Sequence, residues 1–87
     1  MSAVDLEEAF NATGLAMTTA ECDLDRLRRA WRNHPTPASE RAYRLASKAA
    51  HDARSAYLAA KTALLEADLA ADEEAALEAA HWRAATQ

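Results

Sequence analysis

Glu78 and His81 come nearest, by residue type and spacing, to a catalytic or metal-binding pattern. They stand three positions apart among strong helix formers, so a helix would carry both on one face. Glu-x-x-His is the ligand pair of di-iron helical bundles, which need two such pairs and further carboxylates. The chain holds one pair and no identifiable further inward-facing carboxylate. We therefore expect no metal site and no cofactor, and keep a metal-binding bundle formed by two copies as an alternative.

The single cysteine, Cys22, is the other candidate for chemistry. Its neighbours Glu21 and Asp23 are anions, whereas reactive cysteines lie in electropositive surroundings. His34 and His51 lie too far along the chain to suggest a Cys–His pair, and one glycine is too few for a phosphate-binding loop. The residues therefore predict a protein that is not an enzyme.

Length and composition favour one small helical domain covering residues 1–87. Alanine accounts for 25 of the 87 residues, whereas glycine occurs once and proline twice, which is typical of long helices. A lone cysteine cannot form an intramolecular disulfide. The chain lacks a run of about 18 apolar residues, so no membrane span is predicted. Its acidic start does not resemble a secretory signal. We expect a cytoplasmic protein without membrane contact.

An alanine heptad dominates the second half of the chain. Alternating spacings of four and three place a stripe on one side of a helix, where it faces a partner helix. A second file beside it contains Tyr43, Ala50, Tyr57 and Leu64. The predicted seam consists of Ala42, Ala46, Ala49, Ala53, Ala56, Ala60, Ala63, Ala67 and Ala70.

The first half predicts a helix over about residues 3–33 with a seam of larger residues. Ser2 suits the N-cap, with Asp5 at the third helical position. Gly14 and the capping-box pattern starting at Thr18 favour a break, but the seam keeps its phase past both. We expect one helix, bent or straight at Gly14. The seam consists of Leu6, Phe10, Thr13, Met17, Ala20, Leu24, Leu27 and Trp31.

Residues 33–37 predict the turn of an antiparallel hairpin. His34 precedes a proline and is driven toward extended geometry, while Thr36 suits an N-cap and Pro37 the first helical position. Folding the chain at Pro35 pairs residues whose numbers add to about 70. Large residues of the first helix then meet alanines of the second, which predicts an all-α helical hairpin.

Residues beyond about 70 have no partner in this hairpin. The second helix, predicted over about 37–70, either continues through 71–85 or breaks near Asp72, with a short third helix folding back; we favour the continuous helix because no breaker is present. Apolar side chains left in water usually mark an interface, so we expect a homodimer forming a helical bundle. The predicted protein interface consists of Leu58, Leu65, Leu69, Leu77 and Trp82.

Charge is arranged in blocks, with a basic block at the predicted turn. Residues 26–61 carry nine Lys or Arg against two acids, although the chain has a net charge of −4. A basic tip can contact phosphates or acidic proteins, but the overall negative charge disfavours nucleic acid. The possible tip-binding residues are Arg26, Arg28, Arg29, Arg32, Arg41, Arg44 and Lys48.

Trp31-Arg32-Asn33 beside the turn of a short helical hairpin resembles the small secreted proteins of the WXG type, with Asn33 where that motif has glycine. The resemblance implies a small secreted hairpin. Apart from this resemblance, the predicted hairpin and its exposed apolar residues favour a non-enzymatic protein–protein interaction module of the adaptor, chaperone or inhibitor type. Its protein partner cannot be named from the residues.

Overall fold

The computed structural model describes residues 2–86, which form two helices joined by a short turn. Helix α1 spans Ala3–Asn33 and helix α2 spans Pro37–Ala85. The two run antiparallel as an extended hairpin of 76 × 16 × 14 Å. At 1.5 Å per residue, the 49 residues of α2 account for about 74 Å, so this helix sets the length of the rod. The predicted all-α hairpin is confirmed.

Both helices start at the caps that the sequence predicts. The Asp5 amide donates to the Ser2 hydroxyl at 3.2 Å, and the Ser2 amide donates back to the Asp5 carboxylate at 3.4 Å. At α2 the Ser39 amide donates to the Thr36 hydroxyl at 3.0 Å, and the Thr36 amide donates to the Ser39 hydroxyl at 2.9 Å. Pro37 holds the first helical position. Each reciprocal pair satisfies two backbone N–H groups, at the N-cap and at the third helical position, that a bare helix end leaves without partners.

Neither helix is interrupted. Helix α1 runs through Gly14, where a Cβ atom would meet the Tyr57 ring at 3.5 Å, an ordinary contact distance. The Thr18 hydroxyl donates to the Gly14 carbonyl at 3.0 Å within the helix and does not act as a cap. Helix α2 continues through Asp72 to Ala85 because no glycine or proline follows Pro37. The favoured continuous helix is confirmed, and the third helix does not form.

Two aromatic stacks join the helices. Phe10 and Tyr57 lie with ring centroids 5.2 Å apart, and Trp31 and Tyr43 lie 5.7 Å apart. The residue numbers of these pairs add to 67 and 74, on either side of the predicted 70. Stacked rings contribute about 0.5–1.5 kcal/mol beyond their buried area. One aromatic stack therefore joins the helices close to the turn, and the other joins them near the open end of the hairpin.

The predicted all-alanine seam of α2 is wrong for three of its nine members. Ala49, Ala56 and Ala70 are exposed, whereas Ala46 and Ala50 are the two buried residues, at 8% and 7%. The inward stripe alternates between the predicted seam and the file beside it. Its members are Tyr43, Ala46, Ala50, Ala53, Tyr57, Ala60, Leu64 and Ala67. The large residues decide the rotation of α2, since each inward tyrosine or leucine buries more apolar area than an alanine.

Neither helix within residues 2–86 is both long and apolar enough to cross a membrane.

Candidate interaction surfaces

Helix α2 extends well beyond the end of α1. Helix α1 begins at Ala3, which the pairing rule places beside Ala67, and every residue from 68 to 86 is exposed. We call residues 68–85 the overhang. It has no partner helix among the described residues, and its large apolar side chains are those of Leu69, Leu77 and Trp82. Most helical stability in proteins comes from packing an apolar face, and the overhang leaves that contribution unused.

The five predicted interface residues are all exposed, with 50–72% of their surface accessible. At 100° per residue, Leu58, Leu65 and Leu69 share one side of α2 within about 40°. Leu77 lies about 100° away from this leucine file, and Trp82 lies about 120° away in the opposite direction. The five therefore offer three separate sides of the rod, and one flat partner cannot cover them all.

A groove between the two helices was missed by the sequence reasoning. It lies in the half of the rod nearer the turn, has a volume of about 820 Å³, and is mostly apolar. Its lining includes Leu15 and Leu45, both exposed, together with Ala16, Ala46 and Ala49. The signal was present in the sequence as two leucines outside either seam. Half of its twelve lining residues are alanine, and these short side chains leave space beside the two leucines.

The predicted basic tip is largely neutralised by neighbouring acids. Five of its seven cations pair with carboxylates one helical turn away, all on exposed surface, where such pairs contribute little to stability. Among residues 2–86, Arg32 and Arg41 form no ion pair. The pairs are Arg26–Asp23 at 3.7 Å, Arg28–Asp25 at 3.0 Å, Arg29–Asp25 at 2.9 Å, Arg44–Glu40 at 2.8 Å and Lys48–Asp52 at 3.5 Å.

Asp25 is the acid most affected by this tip. A hydrogen bond from Arg28, followed by the charge of Arg29, holds the pKa of Asp25 below its usual value. The Arg28 Nε atom is buried and has no hydrogen-bond partner among the described residues. Arg28 binds Asp25 through a terminal guanidinium nitrogen instead. Asp25 thus orders two arginines along α1 and lowers the density of free positive charge at the tip.

The candidates for chemistry stay apart. Glu78 and His81 lie on the exposed overhang, and no group of three metal-ligating side chains forms within residues 2–86. Cys22 is exposed on α1 and remains a free thiol.

The rod exposes much more surface than a compact protein of its mass. Its accessible surface is 6819 Å², whereas a folded monomer of 9.4 kDa exposes about 5,000 Å². The radius of gyration is 21.4 Å against about 12 Å for a compact chain of this length. About 1,800 Å² of additional surface is therefore available for contact with other molecules.

Comparison with models of known protein families, with curated proteins and with solved structures finds no match to this chain, and no family is assigned to it.

Proposed function

We propose that this chain is a small protein–protein interaction module without enzymatic activity. The observation that carries the proposal is that eight large apolar side chains stay at least half exposed on a rod whose longer helix continues past its partner. Monomeric proteins expose single apolar residues freely, but contiguous apolar patches usually mark binding surfaces. Here the leucine file of Leu58, Leu65 and Leu69 forms such a patch along two to three turns of α2.

The leucine file favours a partner that is itself helical. Leucines at i, i+7 and i+11 give a narrow apolar stripe along α2, which matches the stripe of another amphipathic helix. Burying each leucine contributes roughly 1.5–3 kcal/mol before the entropy of association is subtracted. Three leucines can therefore support binding, with Leu77 and Trp82 adding contacts on the neighbouring sides. A large aromatic such as Trp82 is a common anchor of an interface.

Affinity capture with the full chain, followed by mass spectrometry, tests this function. Leu65→Asp places a charge in the middle of the leucine file and should release proteins that the wild-type chain captures from its native cell. Leu15→Asp is the matched control, because it introduces the same charge at an exposed leucine on the groove side of the rod. The supporting result is a set of proteins other than the chain itself that Leu65→Asp loses and Leu15→Asp keeps. Identical sets from all three forms would contradict the proposal.

A further inference from the structure

We infer that two copies of the chain form an antiparallel twofold dimer. In this dimer the overhang of each copy docks in the groove of the other copy. This inference goes beyond the proposed function, because it uses the groove and the overhang and leaves the leucine file free. The groove lies near the turn and the overhang lies at the opposite end of the rod. Two copies running antiparallel therefore bring each groove beside the other copy's overhang, and one twofold axis satisfies both contacts.

The two features agree in length. The groove follows α1 from Ala12 to Leu27, which is about 22 Å of helix at 1.5 Å per residue. The overhang, residues 68–85, is about 26 Å long, so it covers the groove from end to end. Leu77, near the middle of this stretch, supplies a large exposed side chain. The short side chains of the alanines that line the groove leave space for Leu77.

Charge selects the overhang of a second copy as the occupant. Residues 12–30 and 40–58, which line and flank the groove on the two helices, carry seven Lys or Arg and five Asp or Glu, a net charge of +2. Residues 68–86 carry five acids and Arg83, a net charge of −4. Opposite blocks attract across an interface, and like blocks repel. The same count disfavours a dimer in which the two overhangs pack on each other, because that arrangement brings two charges of −4 together.

The exposed alanines determine the register of this dimer. Placing Leu77 over Ala49 pairs residues of the two α2 helices whose numbers add to 126. Ala56 of one copy then faces Ala70 of the other, and both are exposed in the single chain. Ala63 lies on the twofold axis and faces its own symmetry mate. Alanine at each of these positions allows the helices to approach near the lower end of the roughly 8–10 Å range.

The surface available is sufficient for such a contact. A stable dimer of ordinary size buries about 800 Å² on each partner. The rod exposes about 1,800 Å² more than a compact chain of its mass, so the interface can form while more than half of this additional surface stays open. The leucine file lies on a different side of α2 and remains available to another protein.

Light scattering of the full chain gives the first test. At about 20 μM and low salt we expect a mass twice the 9.4 kDa of one chain. Ala70→Glu buries an unpaired acid in the contact and should raise the dimer Kd about tenfold or more. Ala79→Glu is the control, since it makes the same exchange at an exposed alanine on the opposite side of α2, about 180° around the helix from Ala70. It should leave the Kd unchanged. A mass of 9.4 kDa for the wild-type chain, or equal effects of the two variants, would overturn the inference.

Disulfide trapping tests the register in a Cys22→Ser background. Ala63→Cys places two thiols across the twofold axis, within the range that a disulfide spans, so oxidation should link the dimer. Ala70→Cys is the control, because its symmetry mate lies about 21 Å away along the axis and should not link. Linkage of Ala70→Cys but not of Ala63→Cys would overturn the register. A monomeric chain that still loses captured proteins on Leu65→Asp would overturn self-docking alone and leave the proposed function standing.

Discussion

Replacing Ala50 with leucine probes the contact that holds the hairpin together. Ala50 is 7% exposed and forms, with Ala46, the most buried part of the molecule. The pairing rule places it opposite Ala20, between the larger Met17 and Leu24 of α1. A leucine here adds three carbon atoms at the most buried position of α2. The substitution therefore asks whether the small side chain is required for the helices to meet.

Two opposing effects decide the magnitude. Burying the added leucine atoms would contribute up to about 2 kcal/mol if the helices could accept them without moving. They can do so only by separating, and that removes contacts along the whole hairpin, including those of Met17 and Leu24. Overpacking in a closely packed contact typically destabilises by about 1–3 kcal/mol net. In a domain of this size, that loss corresponds to a fall in Tm of about 5–20 °C.

Circular dichroism at 222 nm during thermal and urea unfolding, at one protein concentration, measures this loss. Ser55→Leu is the control, because Ser55 is exposed on the outer side of α2 and the change should alter the free energy of unfolding by less than about 0.5 kcal/mol. If Ala50→Leu unfolds at or above the wild-type temperature, or if both variants shift equally, the argument that alanine permits the close approach is refuted.

Three further predictions follow from the helices and their tip. Gly14→Ala should stabilise the hairpin by about 0.5–1 kcal/mol in urea unfolding, because alanine favours the helix and its Cβ would meet Tyr57 at 3.5 Å without a clash; a destabilised variant would show that the contact is too tight. Thr36→Ala should cost about 0.5–2 kcal/mol in the same assay through loss of the α2 cap, whereas Thr36→Ser should cost little. Since the folded-state pKa of Asp25 is lowered, its contribution to stability is complete above the ordinary aspartate pKa and disappears as pH falls through the lower folded value. The difference in Tm between wild type and Asp25→Asn should therefore shrink as pH falls below the ordinary aspartate pKa of about 4, and a difference that stays constant would reject this coupling.

The limits of the two helices could be predicted because their signals are local. Ser2, His34, Thr36 and Pro37 act on the backbone within one turn of themselves, and each is found where its chemistry requires. The continuous path of α2 likewise follows from the absence of any glycine or proline after Pro37. Local rules of this kind do not depend on the rest of the fold.

The rotation of α2 could not be read from its alanines. Ala46, Ala49 and Ala50 lie close together around the helix, so a heptad of alanines can be drawn along more than one line. Alanine gains little on burial, and the choice between these lines is made by Tyr43 and Tyr57, which turn inward to stack on α1. The groove was missed because Leu15 and Leu45, which line it, lie outside both predicted seams. Periodicity indicates that a helix has an apolar side, whereas side-chain bulk decides which side packs.

The antiparallel pairing of α1 with α2 has a mechanical consequence. Contacts near the turn join residues about a dozen apart, as Trp31 and Tyr43 are, while those at the open end join residues almost 50 apart, as Phe10 and Tyr57 are. A pull that separates Ala3 from Ala67 loads these contacts one at a time, so the rod should unzip at low force. A pull along the rod, between Trp31 and Ala67, passes through the turn and the backbone of α2, so it is borne by the hydrogen bonds of that helix and not by the contacts between the helices. The two helices should therefore separate at a lower force when their open ends are pulled apart than α2 needs to extend along the rod.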